Sequence, residues 1–233
     1  MSALPYGPYR LKASGSGPHK FGGPTKHAGS TPHGTDVPLQ LVLSLDLTDP
    51  NWPIEQEFGV KSLPLYYPFK YGSGGSEIQY ALRSDGEIEI LHLSHSKPDD
   101  DDSQYLKVNE LPRESFALEP LTYEQARALA FALTYGDLYL NEEDRFTLDR
   151  IDLKNLILVE NAQRTPNGPE IICRNRNCEH YGRRVNRNIF VTVPPISVDG
   201  SDDFWYEFQG GDVHFCFGFT YCCGSIIAFN VAG

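Results

Sequence analysis

Long apolar runs, an excess of basic charge and the common enzyme signatures are all missing from this sequence. No run of eighteen apolar residues occurs, so no helix is expected to span a membrane. The net charge of -11 makes nucleic acid an unlikely main partner, because phosphate binding depends on clustered Lys and Arg. No Gly-x-Ser-x-Gly motif, phosphate loop or dinucleotide fingerprint is present. These absences favour an acidic soluble protein.

The start of the chain also lacks the apolar core of a secretory signal, since Pro, Gly and Lys are scattered through its first twenty residues. The five cysteines form an odd set, which suits a compartment where thiols stay reduced. We therefore expect a cytoplasmic protein. A length of 233 residues can bury its own core, and we expect a single domain over residues 1–233.

Alternating apolar and polar residues predict strands through most of the chain. Leucines recur at every second position from Leu39 to Leu47, and Asp85-Gly86 joins two alternating segments in a predicted hairpin over residues 78–93. Further strands are predicted at 156–160, 188–193, 213–221 and 225–231. Residues 1–36 are rich in Gly, Pro, Ser and Thr and are expected to be irregular.

Helical signals are fewer. Thr122 and Gln125 form a capping box before an apolar stripe, which predicts one main helix over about 122–135. A shorter helix is predicted to start near Asn141. The expected fold is therefore a β-rich α+β domain, with antiparallel sheets or a meander and a cysteine-bearing hairpin near the C-terminus.

All five cysteines lie in the β subregion 170–233, and four of them can be grouped as two arms of a metal clip. Cys173 and Cys178 form one arm, and the adjacent Cys222 and Cys223 form the other, at a predicted hairpin tip. The second arm is irregular because Thr220 stands where a Cys-x-x-C arm would have its first cysteine. The sequence predicts a structural zinc on these four residues, with His180 able to replace one of the adjacent pair. Free thiols facing each other across strands remain the alternative.

Two other functions compete. His214 and Cys216 lie two residues apart on a predicted strand and so share a face, as a thiol-dependent enzyme would need. Same-face residues in so aromatic a strand more often pack in a core, which favours a buried Cys216. A zinc-ribbon-like nucleic-acid binder is suggested by basic residues around the first cysteine pair, which are opposed only by Glu179. These residues are Arg174, Arg176, Arg183, Arg184 and Arg187.

A resemblance supplies the remaining expectation. Gly17-Pro-His-Lys-Phe-Gly-Gly-Pro24, the Leu-Gln-Leu strand at 39–41, Gly211-Asp-Val-His-Phe and Cys223-Gly-Ser-Ile-Ile are similar to the ordered landmarks of the YwqG-like family of bacterial proteins. That resemblance implies a β-rich α+β domain of uncharacterised function, with members near toxin and immunity genes. The adjacent Cys222 and Cys223 depart from the two-cysteine knuckle of some relatives. A vestigial or absent metal site is therefore the alternative to a bound zinc.

Together these patterns lead us to expect a non-catalytic protein-binding module, an immunity-type inhibitor that captures a cationic toxin or another cationic protein. The toxin is implied by the resemblance. The charge supplies a physical reason, because exposed carboxylates attract a basic partner and speed its capture. Asp99, Asp100, Asp101 and Asp102 are the predicted partner-binding residues, and 199–203 is a second acidic segment.

Overall fold

The computed structural model describes residues 8–72, 77–98, 111–135, 140–151, 157–163, 169–194 and 213–232. Within these ranges the chain forms eleven strands and two helices. The strands are β1 (Tyr9–Ala13), β2 (His19–Gly23), β3 (Gln40–Asp46), β4 (Ser62–Tyr67), β5 (Ile78–Ser84), β6 (Glu87–Leu93), β7 (Leu111–Pro120), β8 (Ile157–Gln163), β9 (Arg187–Val193), β10 (Val213–Thr220) and β11 (Ile226–Ala232). The helices are α1 (Tyr123–Tyr135) and α2 (Glu142–Asp149).

All eleven strands belong to one antiparallel sheet in the order β4-β3-β2-β7-β1-β8-β9-β10-β11-β5-β6. The sheet curls, because β4 at one end also packs against β11 near the other end. The concave face encloses the main core, which draws side chains from strands along the whole sheet. Tyr67, Phe69 and Phe215 meet there with ring centroids 4.6 to 5.1 Å apart.

The two helices cover part of the other face. Leu158 of β8 packs with Leu129 of α1 and Leu148 of α2, whereas its neighbours Ile157 and Val159 enter the main core. This division follows from the alternation of side chains along a strand. The capping box of α1 is present, since Thr122 and Gln125 each accept a backbone N–H from the other. No helix in the described ranges is long and apolar enough to cross a membrane.

A third cluster lies on the outer face of β9, β10 and β11. Cys216 and Ile227 pack there against Ile171, which belongs to the segment that leads into the first cysteine arm. The burial of Ile171 therefore fixes that segment on the sheet. This contact places Cys173, two residues later, beside the end of the β10–β11 hairpin.

The predicted β-rich α+β fold is confirmed. Strands β5 and β6 form the expected hairpin at Asp85-Gly86, β8 to β11 form the expected meander, and α1 is the longer of the described helices. The prediction that residues 1–36 are irregular is wrong at two places, because β1 and β2 lie within them. Both strands pair with β7, so the backbone of this Gly- and Pro-rich segment is ordered by distant residues rather than by its own pattern. Asp99 to Asp102 and residues 199–203 lie outside the described residues.

Candidate metal centre

The first cysteine arm is a tight loop over residues 173–183. Its ends are joined by two backbone hydrogen bonds of 2.9 Å, from Cys173 N to Arg183 O and from Gly182 N to Cys173 O. Gly182 has φ 74°, a left-handed conformation that suits glycine. Inside the loop, the N–H of Cys178 donates to Asn175 O at 3.0 Å, which turns Cys178 back toward Cys173. The local sequence thus folds the two thiols of this arm toward one side.

The second arm is the turn between β10 and β11. Thr220 N donates to Ser225 O at 3.0 Å, and Gly224 N donates to Thr220 O at 2.9 Å. Gly224 has φ 64° and closes the turn. Tyr221 N donates to Asn186 O at 3.1 Å, which ties the tip to the segment that follows the first arm. Cys222 and Cys223 therefore sit at a turn that is held from both sides.

The structure brings together the four cysteines predicted as ligands. The sulfurs of Cys173, Cys178, Cys222 and Cys223 all lie within 4.8 Å of one another, and such a group can hold a metal ion. The Sγ atoms of Cys173 and Cys223 are 3.9 Å apart, and those of Cys222 and Cys223 are 3.7 Å apart. These separations are far longer than a disulfide bond of about 2.05 Å. All four thiols are free.

The same separations match a tetrahedral metal site. With metal–sulfur bonds of about 2.3 Å, the sulfurs of a tetrahedral zinc lie about 3.8 Å apart. The two arms are remote in sequence, because Cys173 and Cys223 are 50 residues apart. A metal bound here would therefore cross-link the segment after β8 to the β10–β11 hairpin.

Hydrogen bonds around Cys223 favour negative charge on its sulfur. The hydroxyls of Thr220 and Ser225 lie 3.3 and 3.1 Å from Cys223 Sγ, where both can donate to a thiolate. Burial acts to raise the pKa of Cys223, but bonds from Ser225, Thr220 and Cys222 outweigh it and lower that pKa to about 6. Burial raises the pKa of Cys173 to about 11 and also raises that of Cys222. The cluster thus holds one favoured thiolate beside less acidic thiols, and a cation would favour deprotonation of the others.

Sequence reasoning missed several supporting residues. Thr220, read as a flaw in the second arm, supplies a hydroxyl to Cys223 Sγ. His180 is not part of the sulfur group, and instead its backbone N–H lies 3.4 Å from Cys178 Sγ. Gln79 of β5 accepts the backbone N–H of Arg174 at 2.5 Å, which anchors the first arm to the sheet. No local pattern links Gln79 to an arm that follows it by 95 residues.

The pair proposed for thiol catalysis is placed differently. Cys216 is fully buried in the cluster on the outer face of β9 to β11, and His214 of the same strand is partly buried. Burial raises the pKa of Cys216 to about 11, although Thr192 and Arg187 act in the other direction. A buried thiol with this pKa is a poor nucleophile near neutral pH. Cys216 also lies outside the four-sulfur group.

The arginines around the first arm differ in their exposure and in their contacts. Arg184 pairs with Glu170 at 2.7 Å, and Arg187 donates to Pro169 O and lies 5.0 Å from the centre of the Phe229 ring. Arg176 and Arg183 are exposed. The apparent basic cluster is therefore divided between the surface and the protein's own contacts.

Comparisons with known proteins found no matching family model, no matching curated protein and no matching solved structure. The resemblance to the YwqG-like family therefore stays a prediction.

Proposed function

We propose that this protein is a non-catalytic protein-binding module in which a zinc ion on Cys173, Cys178, Cys222 and Cys223 stabilises the fold. The observation that carries the metal is the spacing of the sulfurs, which lie within 4.8 Å of one another across two remote segments. Four thiolates are the ligand set of closed structural zinc sites. Such a site keeps no open position for a water or a substrate, so it supports a structural role.

The proposal of binding rather than catalysis is supported by the state of the remaining thiol. Cys216 is fully buried among Ile and Phe side chains, which suits a small apolar core residue. A thiol enzyme would need a thiolate that a substrate can reach. Unchanged partner binding by Cys216→Ala would support the binding module. Rapid formation of a covalent adduct between iodoacetamide and Cys216 near neutral pH would instead favour a thiol-dependent enzyme.

We propose that the partner is a cationic protein. The more specific proposal, that the partner is a toxin and this protein its immunity-type inhibitor, is based on the family resemblance. The net charge of -11 supports an attraction that would act before contact. Charges at the rim of an interface mainly raise the association rate, over a Debye length of about 8 Å at physiological salt. We therefore expect salt to slow association more than it hastens dissociation.

The test uses a partner captured from the native organism and measures association and dissociation rates over a range of salt. Replacement of Asp99, Asp100, Asp101 and Asp102 by Asn should slow association as salt does, with little change in melting temperature. The control replaces exposed Glu142 and Glu143 of α2 by Gln. It removes two charges and is therefore compared with Asp99→Asn/Asp100→Asn, which removes the same number. If the Asp variant captured the partner at the wild-type rate at every salt concentration, the proposal that these four carboxylates steer the encounter would be wrong.

A further inference from the structure

An open groove runs beside the second cysteine arm, along the segment between β3 and β4. It encloses about 500 Å³, and its apolar lining includes Leu47, Trp52, Ile54, Phe58 and Val60. Trp52 and Phe58 are partly buried, and both line the groove. A partly exposed aromatic pair of this kind is typical of the anchor positions of protein interfaces.

The segment that forms the floor of the groove is not itself a strand, but its aromatic side chains pack on the sheet. The Trp52 ring lies 6.4 Å from that of Phe190 on β9, and the Phe58 ring lies 5.6 Å from that of Phe219 on β10. Both contacts are edge-on, a favourable geometry for aromatic pairs. The groove is therefore preorganised, which lowers the entropy cost of binding.

The rim of the groove is acidic. Glu55, Glu57 and Asp85 are exposed and line it together with Lys61, which leaves three carboxylates against one ammonium and a net charge of -2. Asp85 accepts the backbone N–H of Lys61 at 2.5 Å, so its carboxylate is fixed in place. An apolar floor under an acidic rim is complementary to an apolar side chain flanked by basic ones.

The groove also adjoins the metal centre. A Cβ added to Gly224, the residue after Cys223, would lie 3.7 Å from Gln56 Nε2. Phe219, which supports Phe58, lies on β10 one residue before Thr220, whose hydroxyl contacts Cys223 Sγ. Contacts that fix the β10–β11 hairpin tip therefore also fix one wall of the groove.

We infer that this groove docks a partner segment in which Lys or Arg residues flank a large apolar side chain. The apolar side chain would pack on Trp52 and Phe58, and the flanking cations would lie against Glu55, Glu57 and Asp85. The inference rests on the proposed function and gives it a location and a specificity. It also assigns a contact role to residues other than Asp99 to Asp102.

The probe is a capped Lys-Phe-Lys peptide titrated into the isotope-labelled full chain at low salt, with amide chemical shifts as the readout. Capped Glu-Phe-Glu and Lys-Ser-Lys peptides test the charge and the apolar anchor separately. We expect shift changes concentrated at residues 52–61 with Lys-Phe-Lys and much smaller ones with either control. The double variant Glu55→Gln/Glu57→Gln should weaken binding about three- to fivefold. Glu142→Gln/Glu143→Gln changes the net charge equally and should leave it unaltered.

Three outcomes would each overturn the inference that the groove binds this segment. They are the absence of shift changes at 52–61, equal binding of the Glu-Phe-Glu and Lys-Phe-Lys peptides, and equal effects of the two double variants. Failure of the groove and failure of the proposed function are distinguishable with the native partner. If Glu55→Gln/Glu57→Gln captures that partner as well as wild type does, the inference that the groove is the docking site is wrong. The proposal that the protein is a binding module is then unaffected. If a substrate is turned over and Cys216→Ala abolishes that turnover, the binding module itself is wrong.

Discussion

At the scale of single residues, the second cysteine arm shows that two adjacent cysteines can present their sulfurs at a spacing suited to one metal ion. Adjacent Cys222 and Cys223 place their sulfurs 3.7 Å apart, close to the separation expected in a tetrahedral site. Thr220 supplies a hydroxyl at 3.3 Å from Cys223 Sγ. The arm thus offers two sulfurs and a supporting hydrogen bond without the usual two-residue spacer.

The first prediction separates the clustered cysteines from the isolated one. Cys173→Ser should reduce bound zinc from about one per chain to nearly none and should destabilise the fold by about 3 kcal/mol or more, because metal binding and folding are linked. Cys216→Ala should keep its zinc while losing about 1–2 kcal/mol from a small cavity. Metal analysis and urea denaturation on both variants provide the check. Equal zinc in the two variants would contradict the ligand assignment.

His19 carries the second prediction. It is fully buried, its Nδ1 accepts the backbone N–H of Asp46 at 3.1 Å, and its Nε2 lies 3.0 Å from Asp49 Oδ2. These contacts fit a neutral ring that donates from Nε2. Burial lowers the pKa of His19 below 6.5, against the opposing effect of Asp49. The unfolded chain therefore binds more protons than the folded chain below about pH 6.5, and stability falls as the pH drops.

His19→Gln should cost about 1–3 kcal/mol near pH 7, since it disturbs buried hydrogen bonds. The same variant should lose less additional stability than wild type between about pH 7 and pH 5, because the titrating group is gone. His33→Gln, at an exposed position, is the control and should follow the wild-type pH dependence. Urea denaturation at the two pH values measures the difference. A His19→Gln slope equal to that of His33→Gln would exclude His19 as the source.

At the scale of secondary-structure elements, the close approach of β9 and β10 supports both the hairpin tip and the groove floor. A Cβ added at Gly218 would lie 2.4 Å from Asn188 O of the neighbouring strand. Backbone cannot move aside as a flexible side chain can. Gly218→Ala should therefore destabilise the protein by about 2 kcal/mol.

Gly15→Ala is the matched control for this third prediction, because nothing lies within 4 Å of the added Cβ. It should change the free energy of unfolding by no more than about 0.5 kcal/mol. Thermal or urea unfolding of the two variants distinguishes them. Similar losses at both positions would mean that the β9–β10 contact is less demanding than its geometry indicates.

Elements with strong local signals could be predicted from sequence, and elements ordered by distant partners could not. The capping box at Thr122 and the Asp85-Gly86 turn each encode their own conformation, and both are confirmed. Strand β2 has little alternation of its own and is ordered by pairing with β3 and β7. Gln40 of β3 is a polar residue between two leucines, and it is buried in the structure. Neither of its side-chain polar atoms has a hydrogen-bond partner among the described residues.

At the scale of the whole molecule, the cysteine arms show which part of a site a sequence can reveal. Spacing and residue type identified four candidate ligands. Their convergence depends on Ile171 packing on the outer face of the sheet and on Gln79 holding Arg174, contacts between residues far apart in the chain. The groove at Trp52 and Phe58 was not predicted for the same reason, because its floor is supplied by β9 and β10.

A bound metal would act on the entire fold through these connections. It would join segments 50 residues apart, and a cross-link of this kind stabilises by restricting the unfolded chain. A metal that binds the folded chain more tightly than the unfolded chain also raises the melting temperature, by an amount that grows with the logarithm of its affinity. The zinc is therefore expected to be a major contributor to stability.

The most direct test of this account measures zinc in the purified full-length protein, together with the melting temperature before and after removal of metal by a chelator. We predict about one zinc per chain and a fall in melting temperature of at least about 5 °C on chelation, reversed when zinc is restored. Protein that carries no zinc, takes up none when it is supplied and melts at the same temperature with and without chelator would contradict the account.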